Sequence, residues 1–315
     1  MRPDADPAVA RPIVSRGEPA DADLPVVMVL RSPKAGRGGG RRQIEQLGQI
    51  ARERRWTWRV TDRVEELKRW LPLHPRSIVV AAGGDGTLTL ATHLVTDYPE
   101  VDLVPMPMGT ENLLARHLGY LPTAHAVAQT ITRRQRRCID SIAVTARRRQ
   151  HRALVMATAG FDASVVRRVH LRRRGHIRRW TYVMPIVRSM WRYRFAPVTV
   201  QTDDCQIECR WVMVFNLAAY AANLPITRDA EPDDGMLDVI CLGGDRVVDG
   251  LRYLSGVLTG RLDQSSDVVR LRTRRLQMAS SDPVPLQCDG DYVGRLPVTI
   301  ECCPASVRLL AAAYN

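Results

Sequence analysis

The residues with the clearest capacity for chemistry form one short turn, Gly83-Gly84-Asp85-Gly86-Thr87. An apolar run precedes this turn and apolar residues at helical spacing follow it, so the pattern predicts a strand, a glycine turn and a helix start. The N–H groups and the positive dipole of a helix start suit a phosphate. A carboxylate beside phosphates is repulsive unless a cation lies between them, so Asp85 indicates a metal–nucleotide complex such as Mg-ATP. The alternative is an ordinary strand–helix turn in which Asp85 or Thr87 caps the helix.

Two further acidic–glycine turns lie in the second half of the chain, Glu231-Pro-Asp-Asp234-Gly235-Met236 and Cys288-Asp289-Gly290-Asp291. Asp-Gly is also a common hairpin signal, so each could be a plain β-turn. The sharper hypothesis is that these carboxylates face the phosphate turn across a cleft. Phosphoryl transfer to an alcohol needs a phosphate cradle, a divalent metal and a base near the hydroxyl. In this hypothesis Asp85 contacts the metal, and either Asp289 or Asp291 is the base.

The alternation of predicted elements indicates the fold class. Strands at 24–30, 56–60, 79–82 and 101–107 alternate with helical segments as far as residue 133, which predicts an α/β domain with a mostly parallel sheet. Ligands bind such sheets at the carboxyl ends of the strands, where the glycine turns at 36–40, 83–86 and 109 fall. Beyond residue 138 short strands dominate and predict an antiparallel, sandwich-like β domain. We therefore expect domains at 25–137 and 138–315, with a last strand that could return to the first domain.

Composition describes a globular protein with anionic partners. The 315 residues are 45% hydrophobic and 25% charged, which excludes a disordered chain. The net charge of +13 comes almost wholly from arginine, because Lys34 and Lys68 are the only lysines. Arginine is a good bidentate partner for phosphate, so nucleotides, anionic lipid surfaces and nucleic acid all qualify.

The cysteines and the N-terminus predict a cytoplasmic protein. Seven cysteines without a CxxC pair fit reduced thiols better than disulfides. Residues 1–24 lack an apolar core and are predicted to be a disordered tail, not a signal peptide. No window of about 18 apolar residues exists, so any membrane contact is expected to be peripheral, at the inner membrane face.

Residues 163–196 are the candidate for that contact. They contain ten arginines and no acidic residue, interleaved with aromatic and aliphatic side chains. This composition is typical of a surface helix on anionic headgroups, although a solvated arginine face has it too. A nucleic-acid face would also be basic and aromatic, but it would not explain the ordered acidic–glycine turns, so no nucleic-acid partner is expected.

Several segments together resemble the diacylglycerol kinase catalytic-domain family, which includes bacterial lipid kinases and sphingosine kinases. The signature at residues 83–87 also occurs in NAD kinases, which share the N-terminal fold. The other matching segments occur in family order between residues 26 and 310: Ser32-Pro33-Lys34-Ala35-Gly36, Pro107-Met108-Gly109-Thr110-Glu111-Asn112-Leu113-Leu114-Ala115-Arg116, Gly160-Phe161-Asp162-Ala163, Asp234-Gly235-Met236-Leu237-Asp238-Val239 and Asp289-Gly290-Asp291.

The resemblance implies a two-domain lipid kinase that binds ATP and Mg²⁺ in the interdomain cleft. The leading acceptor is diacylglycerol, which would give phosphatidic acid, and sphingoid bases and other glycerolipids are the alternatives. Asp291 would stand in the place of the family's proton-accepting glutamate, with Asp289 beside it. Asp234, with backbone oxygens at Glu231 and Met236, would match a magnesium site. The positions that would contact the nucleotide are Gly83, Gly84, Asp85, Gly86, Thr87, Thr110, Asn112, Thr61, Lys34 and Gly36.

Three departures from the family pattern keep other hypotheses open. Ser32 replaces an asparagine, Leu113 stands where many bacterial members have aspartate, and Asp291 is one methylene shorter than glutamate. A non-catalytic nucleotide-binding or membrane-binding protein on a kinase scaffold is one alternative. An NAD kinase is the other, although the Asp289-Gly290-Asp291 turn and the 107–116 element argue against it.

Overall fold

The computed structural model describes residues 24–33, 39–147, 149–172, 195–220, 224–227 and 230–313. The predicted tail apart from its last residue, Lys34, Gly36 and most of the basic segment 163–196 lie outside these ranges.

The first half of the chain alternates strands and helices as the sequence predicts. In chain order they are β1 (Val26–Arg31), α1 (Gly39–Glu53), β2 (Thr57–Thr61), α2 (Val64–Trp70), β3 (Ile78–Gly83), α3 (Asp85–Val95), β4 (Asp102–Pro107), α4 (Leu113–His117) and α5 (Ala124–Arg133). The strands pair in parallel in the order β2-β1-β3-β4. Every residue of β3 and β4 is buried, as expected for strands covered on both faces.

Helices cover both faces of this parallel sheet. Alternate residues of β1 point to opposite sides, so Val27 and Val29 pack against α1 and α5, whereas Met28 and Leu30 pack against α2 and α3. The sheet therefore presents the carboxyl ends of its strands, and the turns that follow them, at one edge.

The second half of the chain is mostly antiparallel strands. Its elements are β5 (Arg136–Ala146), β6 (Arg149–Ala153), β7 (Met156–Ala159), α6 (Phe161–Arg172), β8 (Val198–Gln201), β9 (Gln206–Cys209), β10 (Trp211–Phe215), β11 (Ala219–Tyr220), β12 (Leu224–Pro225), β13 (Leu237–Leu242), α7 (Val247–Thr259), β14 (Val268–Thr273), β15 (Arg275–Ala279), β16 (Pro285–Cys288), β17 (Asp291–Arg295) and β18 (Val298–Leu310).

Two large sheets form most of this half, and β11 and β12 pair separately as a small two-stranded sheet. One is six-stranded, in the order β14-β13-β10-β7-β16-β17, and its pairs are antiparallel. The other comprises β5, β6, β8, β9, β15 and β18 and belongs to the same ten-stranded sheet as β1–β4. Side chains such as Ile142 and Ile300 from the second pack against Val214 and Leu286 from the first, as in a β-sandwich. The predicted fold class, α/β followed by antiparallel β, is confirmed.

The last strand joins the two halves. The apolar pattern predicts a strand at Val298–Cys303, but β18 runs for 13 residues because an irregularity between Cys303 and Val307 lets pairing with β5 resume. Near its end Leu309 pairs in parallel with Leu103 of β4. The parallel strands β1–β4 and the antiparallel strands around β18 are consequently one continuous ten-stranded sheet, and the six-stranded sheet remains separate.

The sequence pattern predicts single strands at 151–157 and 268–279, but each of these segments forms two strands. The segment 151–157 divides into β6 and β7 at Leu154 and Val155, and 268–279 divides into β14 and β15, which lie in different sheets. Among the helices of the described ranges, none is both long and apolar enough to span a bilayer.

Candidate functional site

The glycine turns after β3 and β4 lie against each other at the edge of the parallel sheet. A Cβ on Gly109 would lie 2.5 Å from the Cα of Gly84, so residue 109 cannot carry a side chain unless the backbone moves, and a Cβ on Gly84 would lie 3.3 Å from the Cα of Gly109. The Met108 N–H donates to the Gly83 carbonyl at 2.8 Å and holds the turns together. Around Gly86 a Cβ would meet nothing within 4 Å, which leaves open space beside the start of α3. The two turns form a cradle of bare backbone at a helix N-terminus, which suits a phosphate.

Asn112 supports this cradle through its side chain. Its backbone is left-handed, with φ of 51°, and its amide group spans the Gly109 peptide. Oδ1 accepts from the Gly109 N–H at 2.9 Å, and Nδ2 donates to the Gly109 carbonyl at 2.9 Å. Asn112 is buried, so both ends of the amide fix the turn. Thr110, which lies between Gly109 and Asn112 in the chain, is exposed.

The hydroxyl of Thr61 is hydrogen-bonded to residues of the loop and helix that follow β2. Its hydroxyl at the end of β2 donates to Glu66 Oε2 at 2.7 Å and accepts from the Arg63 N–H at 3.0 Å. These bonds organise the start of α2, and the side chain is buried. Thr61 therefore shapes the end of β2, and this arrangement leaves its hydroxyl no further proton to donate to a nucleotide.

Asp85 opens α3 and carries an uncompensated oxygen. Its Oδ1 is buried and, within the described part of the chain, accepts no hydrogen bond. Burial, together with the negative charge of Asp289, raises the pKa of Asp85 to about 6, and the N–H groups of Leu113 and Leu114 oppose that rise. A buried acceptor without a donor, next to a phosphate cradle, fits a divalent cation that arrives with a nucleotide.

Asp289 has the opposite environment. Its backbone is left-handed, with φ of 47°, in the turn between β16 and β17. Its carboxylate accepts from the N–H groups of Leu154 at 2.8 Å and of Val155 and Met156 at 3.0 Å each. The Thr89 hydroxyl donates a fourth hydrogen bond at 2.9 Å. The three N–H donors explain why the strand is interrupted between β6 and β7, since the peptides there turn toward the carboxylate.

The Thr89–Asp289 hydrogen bond brings the first and last acidic turns together. Thr89 lies one helical turn after Asp85 on α3, and Asp289 follows it by 200 residues. The predicted meeting of the phosphate turn with the Asp289-Gly290-Asp291 turn is thus observed. Sequence reasoning missed Thr89, although a polar side chain four residues after Asp85 lies on the same helix face.

The two candidate bases, Asp289 and Asp291, differ in exposure to solvent. Burial raises the pKa of Asp289, and its four hydrogen bonds act in the opposite direction. Because both of its oxygens already accept hydrogen bonds, Asp289 holds the turn in place. Asp291, at the start of β17, is exposed. Of the pair, Asp291 is the carboxylate that lies at the surface.

A buried glutamine that the sequence analysis missed connects this turn to α6. The Gln287 Oε1 accepts from the Gly290 N–H at 2.8 Å. Its Nε2 donates to Thr158 Oγ1 at 2.9 Å and to Asp162 Oδ2 at 3.1 Å. Asp162 belongs to the Gly-Phe-Asp-Ala motif, so this motif positions the Asp289–Asp291 turn through one side chain. The available signal was a glutamine within an otherwise apolar, buried strand.

The loop at 231–236 does not meet the other two turns through any described contact. The Asp234 Oδ1 accepts from the Met236 N–H at 2.9 Å, and its Oδ2 is bound by the Arg272 guanidinium. Within the described ranges, no three His, Cys, Asp or Glu side chains are grouped so that they could hold a metal ion. Among the predicted magnesium ligands, Asp234 is the one that would bind through its side chain, and its carboxylate is already held by Arg272 and the Met236 N–H, so a divalent ion there would have to displace the guanidinium; the predicted backbone ligands at Glu231 and Met236 stay a prediction.

Comparison with known proteins agrees with this architecture. The diacylglycerol kinase catalytic domain model matches residues 26–144, and the YegS C-terminal NAD kinase beta sandwich-like domain model matches residues 155–311. A probable lipid kinase YegS-like from Stenotrophomonas maltophilia is 26% identical over 246 residues, 75% of this chain and 79% of that protein. A diacylglycerol kinase from Mycobacterium tuberculosis is 26% identical over 240 residues, 74% of this chain and 76% of that protein. A Synechocystis protein is 23% identical over 253 residues, and the chain spans only 56% of its length.

Solved structures share the whole fold. A diacylglycerol kinase from Bacillus anthracis superimposes with a TM-score of 0.64 at 16% identity, covering 92% of this chain and 98% of that one. An NAD kinase from Archaeoglobus fulgidus in complex with ATP gives a TM-score of 0.53 at 12% identity, covering 91% and 93%. The two matched domains follow each other along nearly all of the described chain, and the kinase relatives align with about three quarters of the chain. The chain therefore belongs to the diacylglycerol kinase and YegS-like lipid kinase family, with an NAD kinase-like fold.

Proposed function

We propose that this protein is an ATP- and Mg²⁺-dependent kinase that phosphorylates a lipid hydroxyl, with diacylglycerol as the acceptor and phosphatidic acid as the product. The Thr89–Asp289 hydrogen bond carries the proposal, because it joins the phosphate cradle to the turn that bears Asp291. The name of the Mycobacterium tuberculosis relative, a diacylglycerol kinase, supports diacylglycerol as the acceptor, and that of the Stenotrophomonas maltophilia relative, a probable lipid kinase, supports a lipid acceptor.

Each part of the site has a separate task in this reaction. The bare backbone around Gly84 and Gly109 and the start of α3 bind the phosphates, since N–H groups and the helix dipole favour negative charge. The uncompensated Oδ1 of Asp85 holds the cation that accompanies the nucleotide. That cation, when bound, neutralises charge on the phosphoryl group during transfer.

The acceptor side of the site depends on the Asp289–Asp291 turn. Asp291 takes the proton of the lipid hydroxyl as that oxygen bonds to the terminal phosphorus of ATP and the bond from this phosphorus to the ADP oxygen breaks, so that ADP leaves. Asp289 keeps the turn on α3, and Gln287 keeps it on α6. The base is thereby fixed relative to the phosphates, and such positioning is a major source of rate in phosphoryl transfer.

The test is transfer of labelled phosphate from ATP to a panel of diacylglycerols, sphingoid bases and other glycerolipids. Asp85→Asn and Asp291→Asn should each lower transfer by about a hundredfold or more without unfolding the protein. Asp282→Asn, which removes an exposed carboxylate in the loop before β16, is the matched control and should keep full activity. Full activity in both site variants would refute the assignment.

The same preparation decides between the alternatives. Phosphate transfer to NAD⁺ with no lipid product would assign the chain to the NAD kinase reaction. ATP binding without transfer to any acceptor would make it a non-catalytic member of the family.

We also propose that the enzyme works at the cytoplasmic face of an anionic membrane. On α7, Val248, Leu251 and Leu258 lie on one face and are 62%, 42% and 63% exposed. Val247 at the start of α7 packs against Phe161 and Val165 of α6. Since α6 packs on β16 and β17, the apolar face of α7 would flank the acceptor side, and the arginine-rich composition of 163–196 supplies charge that an anionic surface attracts.

Vesicle binding tests the membrane proposal. Binding should increase with the fraction of anionic lipid and decrease with salt. Replacing Val248, Leu251 and Leu258 by serine should weaken it, whereas Leu73→Ser, at a leucine after α2 that is 76% exposed, should not. Equal binding to neutral vesicles at every salt concentration would overturn the proposal.

A further inference from the structure

The loop at residues 231–236 is rich in carboxylates, and the structure compensates them with the protein's own groups. Asp234 is nearly buried, with 11% of its side chain exposed, and Arg272 covers it with a side chain that is 47% exposed. One guanidinium nitrogen contacts Asp234 Oδ2, while Oδ1 accepts from the Met236 N–H. Both oxygens of the loop's central carboxylate are therefore engaged.

Strand pairing places Arg272 at this loop. Asp238 of β13 lies directly opposite Arg272 of β14, and the Arg272 Nε is 3.6 Å from Asp238 Oδ1. The guanidinium thus lies between two carboxylates, one in the loop and one at the start of the strand that follows. Its position comes from the register of a regular antiparallel pair, which keeps it in place when the loop moves.

The remainder of the loop is also anchored internally. Asp140 accepts from the Gly235 N–H at 2.6 Å and from the Ala305 N–H at 2.7 Å, so it ties the loop to β5 and β18. The Asp140 N–H donates to the Pro232 carbonyl at 2.6 Å. Arg137 pairs with Asp233 at 3.1 Å. Arg137, Arg272 and Asp140 together hold residues 232–235 in place.

We infer that Arg272 is a built-in cation that orders the 231–236 loop in place of a divalent metal ion. A guanidinium is always charged and offers several donors in one plane, so it can bridge Asp234 and Asp238 without an ion. A hard cation at Asp234 would have to displace Arg272 and would then be repelled by it. This inference concerns the order of the loop and goes beyond the proposed phosphoryl transfer, whose cation is assigned to Asp85.

The test measures unfolding and ion binding without nucleotide. All variants are made in an Asp85→Asn background, so that an ion at the glycine turn does not contribute. The background protein should unfold at the same temperature in EDTA and in MgCl₂, and calorimetric titration with MgCl₂ should give no heat of binding. Arg272→Ala should unfold several degrees lower in EDTA and should recover part of the loss in MgCl₂, because the freed carboxylates can then take the ion.

Two controls separate the charge of Arg272 from its bulk and from general destabilisation. Arg272→Lys keeps a cation between the carboxylates and should remain insensitive to Mg²⁺. Arg275→Ala breaks an exposed pair with Glu301 at 3.1 Å, away from the loop, and should acquire no Mg²⁺ response. If Arg272→Ala fails to fold, Arg272→Gln replaces it, with the same expected Mg²⁺ response.

Two results would overturn the inference. One is an unfolding temperature of the background protein that rises with Mg²⁺ and loses this rise on Asp234→Asn, since that pair of results describes a metal site. The other is an arginine-free variant that folds and shows no response to Mg²⁺, because the loop would then need neither cation.

Discussion

Asp85 at the start of α3 and Asp289 in the β16–β17 turn lie on opposite sides of the junction between the two halves of the chain. Asp289 accepts four hydrogen bonds from neutral groups, whereas one oxygen of Asp85 is buried without a donor in the described structure. Burial raises the pKa of both. Hydrogen bonds within the protein thus offset much of the desolvation of Asp289, whereas one oxygen of Asp85 has lost its water without gaining such a bond.

The difference separates a structural carboxylate from a reactive one. A saturated carboxylate fixes the chain around it, and its oxygens are closed to a ligand. An undersolvated carboxylate destabilises the fold and is relieved when a cation binds, so binding and stability are linked. Asp234 shows a third arrangement, in which a guanidinium supplies the compensating charge.

The largest expected effect follows from removing the saturated carboxylate. Asp289→Ala leaves three backbone N–H groups and one hydroxyl buried without an acceptor, so we expect a loss of about 3–5 kcal/mol in the free energy of unfolding. Urea denaturation at neutral pH measures it. A loss below about 1 kcal/mol would mean that water replaces the carboxylate and that the comparison with Asp85 fails.

Removing the charge of Asp85 is expected to raise the free energy of unfolding, whereas removing Asp289 lowers it. Its pKa in the folded protein, about 6, lies above the unfolded value of 3.8, so the protonated group favours the fold below pH 3.8 and this contribution is lost as pH rises through 6. Asp85→Asn should therefore stabilise the protein at pH 7.5 by about 2–3 kcal/mol while it abolishes kinase activity. The gain over the unmodified protein should shrink as pH falls from 6 to 4. A destabilised Asp85→Asn protein at pH 7.5 would contradict the assignment.

A kinetic effect is expected at Gln287. Gln287→Glu keeps the acceptor for the Gly290 N–H but places a carboxylate against Asp162, so the Asp289–Asp291 turn should shift. We expect kcat to fall by about tenfold to a hundredfold. The KM for ATP should be unchanged, because the glycine turns are untouched. Thr158→Ser, which retains the hydroxyl that Gln287 contacts, should behave as the unmodified protein; an equal loss there would point to general disturbance of the strand.

The smallest effect is expected at the hydrogen bond between the halves. Thr89→Val removes one of the four donors to Asp289 and should lower the free energy of unfolding by about 1 kcal/mol. Thr89→Ser preserves the hydroxyl and should recover most of the loss. Equal stability of the valine and serine variants, measured by urea denaturation, would show that this contact does not join the halves.

Much of the fold could be predicted from local patterns. Apolar runs and glycine turns recur at spacings of one strand or one helix, so β1–β4 and the helices between them were predicted close to their observed bounds. The break at Leu154 and Val155 could not be predicted, because the acceptor for their N–H groups lies more than 130 residues away. The length of β18 depends likewise on pairing with β4 and β5.

The sequence by itself determined the glycine turns, the helix that begins at Asp85 and the acidic–glycine turns of the second half. These depend on backbone freedom, helix spacing and charge within a few residues. Only the tertiary structure decided which carboxylate is compensated and by what, because the donors are Thr89, the 154–156 peptides and Arg272, all distant in the chain from their acceptors. A carboxylate's chemistry depends on the donors and charges within a few ångströms, and folding alone brings those together.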